Sequence, residues 1–179
     1  RQEEREYAAT ARPAFLSKKG MTPAERGTAL HTFLQYASWE EAAKDPEKEL
    51  LRLVKDRFIT EEQKNAVELD TVRRFFASSL AKRILKAEKL YREYRFTVEI
   101  PAERVCPQGE ELSGEKVVLQ GAVDCAFEED GSLVLVDFKT DRVSSGEELL
   151  SHYAIQLRLY KEALEQCLGV PVKCCMLYS

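Results

Sequence analysis

Two apolar segments joined by a tight turn constrain the fold of this chain more than any other feature. Residues 116–127 and 132–139 each carry the apolar pattern of a β-strand, and the Asp-Gly pair at 130–131 is typical of a hairpin turn. The two strands are therefore predicted to be adjacent and antiparallel. Asp124 and Asp137 are nearly equidistant from the turn, so we expect their side chains to lie side by side, to within a residue or two of register.

The second strand ends in "VDFKTD", which brings an acid and a base onto one face. Side chains alternate along a strand, so Asp137 and Lys139 point to the same face and Phe138 to the other. The carboxylates of Asp124 and Asp137 would repel each other and lose hydration at the end of apolar strands. A hard divalent cation such as Mg²⁺ would offset that repulsion, and Lys139 would orient a water or stabilise charge on a phosphate. The alternative interpretation is a structural ion pair at a strand end.

The remaining elements place a group of helices before the strands and one helix after them. Capping patterns at Thr22 and Thr60 predict two helix starts, and Pro101 and Gly169 are predicted to end a strand and a helix. This order predicts an α/β (α+β) fold with a helical N-terminal section. The predicted helices are about 22–39, 47–57, one that starts after Thr60 and buries Val67, Phe75 and Phe76, 79–90 and 145–167, and the further strands are 92–100 and 170–179.

Basic residues crowd the predicted helix at 79–90 and the segment before it. Three lysines would share one face of that helix, and such a stripe can follow a phosphate backbone. A solvated helix face is the alternative interpretation. The candidate DNA-contacting residues are Arg73, Arg74, Lys82, Lys86 and Lys89.

Three further polar residues lie on predicted helices. His31 adjoins the apolar stripe of the first helix, where it is either a core histidine or a metal ligand. Gln156 and Tyr160 lie four residues apart, so they share one face of the last helix. They are either the polar edge of core packing or part of a site with the strand end.

The bulk properties predict an ordinary cytoplasmic domain. The chain has 179 residues, of which 44% are hydrophobic and 32% charged, and no run of eighteen apolar residues occurs, so we expect no membrane association. The net charge of −4 argues against a general nucleic-acid coat. Five cysteines without a C-x-x-C pair indicate thiols in a reducing compartment. Because the chain starts at Arg1 and stops on a strand, we expect a domain cut from a longer polypeptide, with residues 1–20 as an extension and 21–179 as the domain.

Four segments in order resemble the motifs of the RecB-family nucleases, which belong to the PD-(D/E)XK, restriction-endonuclease-like superfamily. They are "RGTALHTFLQ", "LQGAVDCAF", "LVLVDFKTD" and "HYAIQLRLY". The family pattern is G-x-x-x-H on an early helix, G-x-x-D and D-x-K-T on a hairpin, and Q-x-x-x-Y on the next helix. The resemblance covers about residues 20–179 and implies an αβββαβ core with a mixed central sheet flanked by helices. The flanking sequence is most similar to nuclease domains of the AddA type.

The resemblance also implies a role for each matched residue. A metal ion, Mg²⁺ or in its place Mn²⁺, would be bound at the strand ends, and Lys139 would be the catalytic lysine beside two catalytic aspartates. Glu93 in "REYRF" resembles a further acid of the family. The implied metal ligands are His31, Asp124, Asp137 and the Phe138 carbonyl, and the implied substrate-binding residues are Gln156, Tyr160 and Thr140.

The function implied by the resemblance is metal-dependent hydrolysis of DNA by an exonuclease in recombinational repair of double-strand breaks. The substrate would be a single strand fed from a duplex unwound by helicase domains of the same parent chain, and the partner would be an AddB-like protein. Iron–sulfur relatives use one early and three late cysteines, and this chain lacks that set, so we expect no cluster. The alternatives are a catalytically inactive module that docks DNA or another protein chain, and a stand-alone phage or CRISPR-type exonuclease.

Overall fold

The computed structural model describes residues 22–105, 114–139 and 146–178. Thr140, the helix start proposed at 145 and the proposed extension at 1–20 lie outside these ranges. The helices are α1 (Pro23–Tyr36), α2 (Trp39–Lys44), α3 (Pro46–Lys55), α4 (Glu61–Ala66), α5 (Leu69–Ala77), α6 (Ser79–Ile84) and α7 (Gly146–Leu168), and the strands are β1 (Leu90–Pro101), β2 (Lys116–Glu129), β3 (Ser132–Phe138) and β4 (Val172–Tyr178).

The four strands form one mixed sheet in the order β1-β2-β3-β4. The first three are antiparallel neighbours, and β4 pairs with β3 in parallel after the crossover through α7. The β2–β3 ladder runs from Glu129↔Ser132 to Cys125↔Val136. Asp124 and Asp137 occupy the next position along this register, which confirms that they lie side by side.

Two hydrophobic cores cover the two faces of the sheet. Phe127, Val134 and Val136 pack against the layer formed by α1–α6. On the other face, Leu133 and Leu135 pack against α7. Phe138 lies in the first core and is 4% exposed, so it anchors the end of β3 on the face opposite to Asp137, as the alternation predicts.

Local signals and tertiary contacts together fix the helix ends. Thr22 and Glu25 form a capping box at α1, as predicted. The helix ends at Tyr36 rather than near Trp39, because Ala37 is extended. The Trp39 indole then donates a hydrogen bond of 2.8 Å to the Leu34 carbonyl, which folds α2 back onto α1.

Two other helix predictions were wrong in extent. The capping box at Thr60 forms, but the helix that it starts breaks at the extended residue Val67, so that α4 and α5 are separate. The basic helix ends at Ile84, because the chain turns to meet the sheet and the Glu128 N–H donates to the Lys89 carbonyl. Lys86 and Lys89 therefore lie beyond the helix, and the three-lysine stripe does not form.

Within the part of the chain that the structure describes, no helix combines the length and the apolar character needed to cross a bilayer.

Candidate active site at the fork of the sheet

The sheet divides at Asp124. Beyond Cys125↔Val136 the β2–β3 ladder stops, and the Asp124 carboxylate replaces it by accepting a 2.8 Å hydrogen bond from the Phe138 N–H. From there β1 and β2 continue as one long hairpin, paired as far as Pro101↔Lys116, while β3 continues with β4. Side chains at this fork are therefore free to converge from two diverging halves of the sheet.

Glu93 on β1 lies opposite Asp124 and interrupts the strand. Its φ is 47°, and the register of β1 and β2 skips this one opposed position. The core-facing residues are spaced by three instead of two on both strands here, from Tyr91 to Tyr94 and from Val123 to Ala126. A non-glycine residue in the left-handed region costs about 1–3 kcal/mol, which is typical of functional sites. The interruption brings the Glu93 carboxylate beside that of Asp124.

His31 enters the fork from α1. Its Nδ1 lies 3.3 Å from Asp124 Oδ1, and its Nε2 lies 3.0 Å from the Phe138 carbonyl oxygen. The ligand atoms of His31, Glu93 and Asp124 all lie within 4.8 Å of one another. The sequence predicted His31 and Asp124 as metal ligands and gave Glu93 less weight, although Glu93 is the third member of the cluster that forms.

This donor set fits a hard divalent cation. Two carboxylates, one imidazole and the nearby Phe138 carbonyl offer oxygen and nitrogen ligands of the kind that Mg²⁺ and Mn²⁺ accept. The two acids carry excess negative charge in a half-buried position, and the fork holds them together at the cost of backbone strain at Glu93. Both features indicate an arrangement built to surround a cation.

Electrostatic shifts report the crowding of charge. The hydrogen bond to Asp124 raises the pKa of His31 above its usual value. Burial, and then the charge of Asp124, raise the pKa of Glu93 and also that of Asp137. Without a cation, two acids of the site thus hold protons more readily than acids in water do, and the imidazole supplies the compensating charge.

Asp137 and Lys139 form an ion pair next to this cluster. Lys139 Nζ lies 2.8 Å from Asp137 Oδ2, and Asp137 is only 3% exposed. Among the described residues, Asp137 is not part of the group whose donor atoms lie within 4.8 Å of one another, because its carboxylate faces Lys139. The Lys139 N–H donates to the Tyr178 carbonyl, which continues the β3–β4 pairing and fixes the base of the side chain.

Helix α7 covers Lys139. Gln156 Oε1 lies 3.4 Å from Lys139 Nζ, so the structure brings this predicted residue into the site. The Lys139 ammonium also lies 3.9 Å from the centroid of the Tyr153 ring. The sequence reasoning missed Tyr153, for which the available signal was its position three residues before Gln156 on one helix face.

Tyr160 packs against β1 instead of contacting the acids. Its ring meets that of Phe96 edge-on, with centroids 5.3 Å apart. Gly121 makes room for this contact, since a Cβ there would lie 2.6 Å from the Phe96 ring and 3.2 Å from that of Tyr160. The glycine of the "GAVD" segment thus serves the packing of these two rings.

The predicted basic face is divided among separate elements. Arg73 on α5 pairs with Asp70 at 3.1 Å, and Lys82 is exposed on α6. Lys89 pairs with Glu128 at 2.9 Å beside the sheet. These residues therefore form no single helical stripe.

Comparison with known proteins decides the family. A model of the PD-(D/E)XK nuclease superfamily matches residues 4–174. The chain belongs to this superfamily. The fork, with its acids and the lysine of the D-x-K segment, is therefore the superfamily's characteristic segment seen in three dimensions.

Relatives place this superfamily domain in longer proteins. The chain is 38% identical over 172 residues to the AddA subunit of the ATP-dependent helicase/nuclease from Clostridium botulinum (strain Langeland / NCTC 10281 / Type F), covering 93% of this chain and 13% of that protein. It is 34% identical over 180 residues to the protein of the same name from Geobacillus thermodenitrificans (strain NG80-2), covering 94% and 14%. The chain thus spans about one-seventh of the length of these relatives.

Proposed function

We propose that this domain is a metal-dependent deoxyribonuclease that hydrolyses phosphodiester bonds. The observation that carries the proposal is the fork itself, where the donors of His31, Glu93 and Asp124 converge beside the Asp137–Lys139 ion pair. A phosphodiester is anionic and gains further charge as a nucleophile attacks it. A cation and an ammonium group on the same side of the site therefore suit that reaction.

The proposed cofactor is Mg²⁺, with Mn²⁺ as a substitute. His31, Glu93, Asp124 and the Phe138 carbonyl would hold the ion, and Asp137 remains a proposed further ligand from the adjacent strand position. A bound divalent ion would lower the pKa of a water and offset charge on the phosphate. The absence of an iron–sulfur cluster stays a prediction.

The protein's own groups would arrange the substrate around this cofactor. Lys139 is held by Asp137 and Gln156, so its ammonium is positioned to donate to a phosphate oxygen. Tyr160, Thr140 and the basic residues Arg73, Arg74, Lys82, Lys86 and Lys89 are proposed to contact the strand. With the acidic net charge of −4, such contacts would have to come from local groups.

The names of the relatives support a role within a larger enzyme. Because those proteins are named as part of an ATP-dependent helicase/nuclease, we propose that helicase domains of a parent chain feed one unwound strand to this site. An AddB-like second chain would be the partner, and the process would be recombinational repair of double-strand breaks in the cytoplasm. Exonuclease action follows from a strand end that is delivered continuously.

The deciding experiment measures cleavage of end-labelled single-stranded DNA with Mg²⁺, Mn²⁺ or EDTA. Asp137→Ala and Lys139→Ala should each lower the rate by roughly 100-fold or more, because each removes charge at the reacting phosphate. Lys173→Ala is the matched control, since Lys173 forms a 2.8 Å ion pair with Glu129 at the hairpin-turn end of the sheet. Equal cleavage by all of these proteins would contradict the site. Divalent-ion binding without cleavage would instead favour the docking module.

A further inference from the structure

The Lys139 ammonium is enclosed on three sides, and its aromatic neighbour belongs to no motif that the sequence singled out. Asp137 lies 2.8 Å from Nζ, Gln156 Oε1 lies 3.4 Å away and the Tyr153 ring centroid lies 3.9 Å away. The Lys139 side chain is 16% exposed. Its position therefore depends on what encloses it.

The contacts from α7 come from consecutive turns of one helix face. Tyr153 and Gln156 are three residues apart, so both project toward β3, while Leu157 and Leu164 on the same helix are buried in the core against the sheet. A long, rigid helix that is anchored by this core gives the ring a fixed position. The ring thus approaches the ammonium from the side opposite to the strand that carries it.

The geometry suits a cation–π contact. Attraction to an aromatic face is significant within about 6 Å of the centroid and grows where water is excluded. The Gln156 contact is at the long end of hydrogen-bond geometry, whereas the ring is well within range. The ring is therefore the better placed of the two contacts that draw Lys139 away from Asp137.

We propose that Tyr153 is a positioning residue for Lys139, holding the ammonium at the fork through the face of its ring. The inference rests on the nuclease activity proposed above. With the ring in place, Lys139 is shared between α7 and Asp137 and stays directed into the site. Without it, the lysine collapses onto the carboxylate, and the phosphate loses a correctly placed donor.

The test compares ring electronics at constant shape. Tyr153→Phe, followed by phenylalanines with one, two or three ring fluorines at this position, keeps the packing while weakening the ring's negative face. We expect the kcat for single-stranded DNA to fall stepwise, by roughly 3- to 30-fold from the first to the last, with little change in KM. Tyr153→Leu should match the most fluorinated ring. Tyr36→Leu, the same change at an exposed ring of α1, should leave kcat unaltered.

A readout independent of activity separates the possible failures. Protons on the Lys139 side chain should show an upfield ring-current shift in NMR spectra, which disappears in Tyr153→Leu and persists in the fluorinated series. A present ring-current shift with kcat indifferent to fluorination, in an active wild type, overturns the positioning role alone. An absent shift overturns the contact. Wild-type protein that cleaves no DNA with any divalent ion overturns the nuclease proposal, and this inference with it.

Discussion

Glu93 faces Asp124 across the two strands at the point where both strands interrupt their alternation. The interruption gives Glu93 a φ of 47° and brings its carboxylate within reach of Asp124 and His31. A regular ladder would instead have kept Glu93 in extended backbone. The metal-ligand cluster and the backbone strain are therefore two aspects of one local distortion, and they can be separated by mutation.

Glu93→Gly should be more stable than Glu93→Ala. Glycine adopts the left-handed region without steric cost, whereas alanine keeps the strain, so we expect a difference of about 1 kcal/mol in the free energy of unfolding. Urea titration in EDTA measures it. Both variants lack the carboxylate, so each should bind Mn²⁺ at least roughly 10-fold more weakly in calorimetry. Equal stabilities would show that this backbone position carries no strain.

His31 should make metal-free stability depend on pH. Its pKa is raised in the folded protein by Asp124, so its contribution is complete below the unfolded value of about 6.5 and is lost as pH rises through the folded pKa. Urea unfolding in EDTA should therefore show a larger deficit for His31→Gln at pH 6 than at pH 9. Mn²⁺ affinity of the wild type should rise over the same interval, since the ion displaces a proton. A pH-independent deficit would contradict this linkage.

Glu93 and Asp137 should each lower stability as their carboxyl groups ionise. Burial and Asp124 raise both pKa values, so each acid binds more protons folded than unfolded, and stability falls as pH rises through that window. In EDTA, Glu93→Gln should gain stability relative to wild type between about pH 4 and pH 7. Glu99→Gln is the control, because Glu99 is exposed on the same strand. A gain that does not change with pH would exclude charge as its cause.

Gly121→Ala should disturb the contact between Phe96 and Tyr160. The added Cβ would lie 2.6 Å from the Phe96 ring, so the rings must shift, at a cost of about 1–3 kcal/mol in urea unfolding. The double variant with Phe96→Leu should recover part of that loss relative to Phe96→Leu alone. If the two substitutions are simply additive, the Phe96 ring is not the obstacle.

The basic residues of α5 should contribute to DNA binding through charge. Replacing Arg73 and Arg74 by alanine should weaken single-stranded DNA binding and reduce the salt dependence by about 0.7 per lost phosphate contact. Fluorescence anisotropy at several salt concentrations measures both. Arg104→Ala, which removes an arginine paired with Glu162 on the α7 side, should leave the slope unchanged. Equal effects at all three positions would indicate non-specific attraction.

The hairpin and its register could be predicted from the sequence because local signals determine them. The turn at 130–131 and strict alternation on β3 were enough to place Asp124 beside Asp137 and to separate Phe138 from Lys139. The position of His31 followed only from the family resemblance. Its distance from Asp124 depends on how α1 packs, which no local pattern contains.

The features that were missed depend on tertiary contacts. The break after Tyr36 follows the indole hydrogen bond of Trp39, and the end of the basic helix follows the backbone bond between Glu128 and Lys89. The left-handed backbone of Glu93 has no signal in residue type, since glutamate has no preference for it. The contact between Tyr153 and Lys139 required the actual packing of α7 on the strand end.

The fork has a consequence for how binding and folding are connected. Residues 31, 93 and 124 are far apart in sequence and belong to the helical layer and to two strands that share a hairpin. A cation held by all three would cross-link distant parts of the chain and favour the folded state in proportion to its occupancy. Thermal stability would then report ion concentration, so the same ion that supports cleavage would also act as a fastener between the two layers.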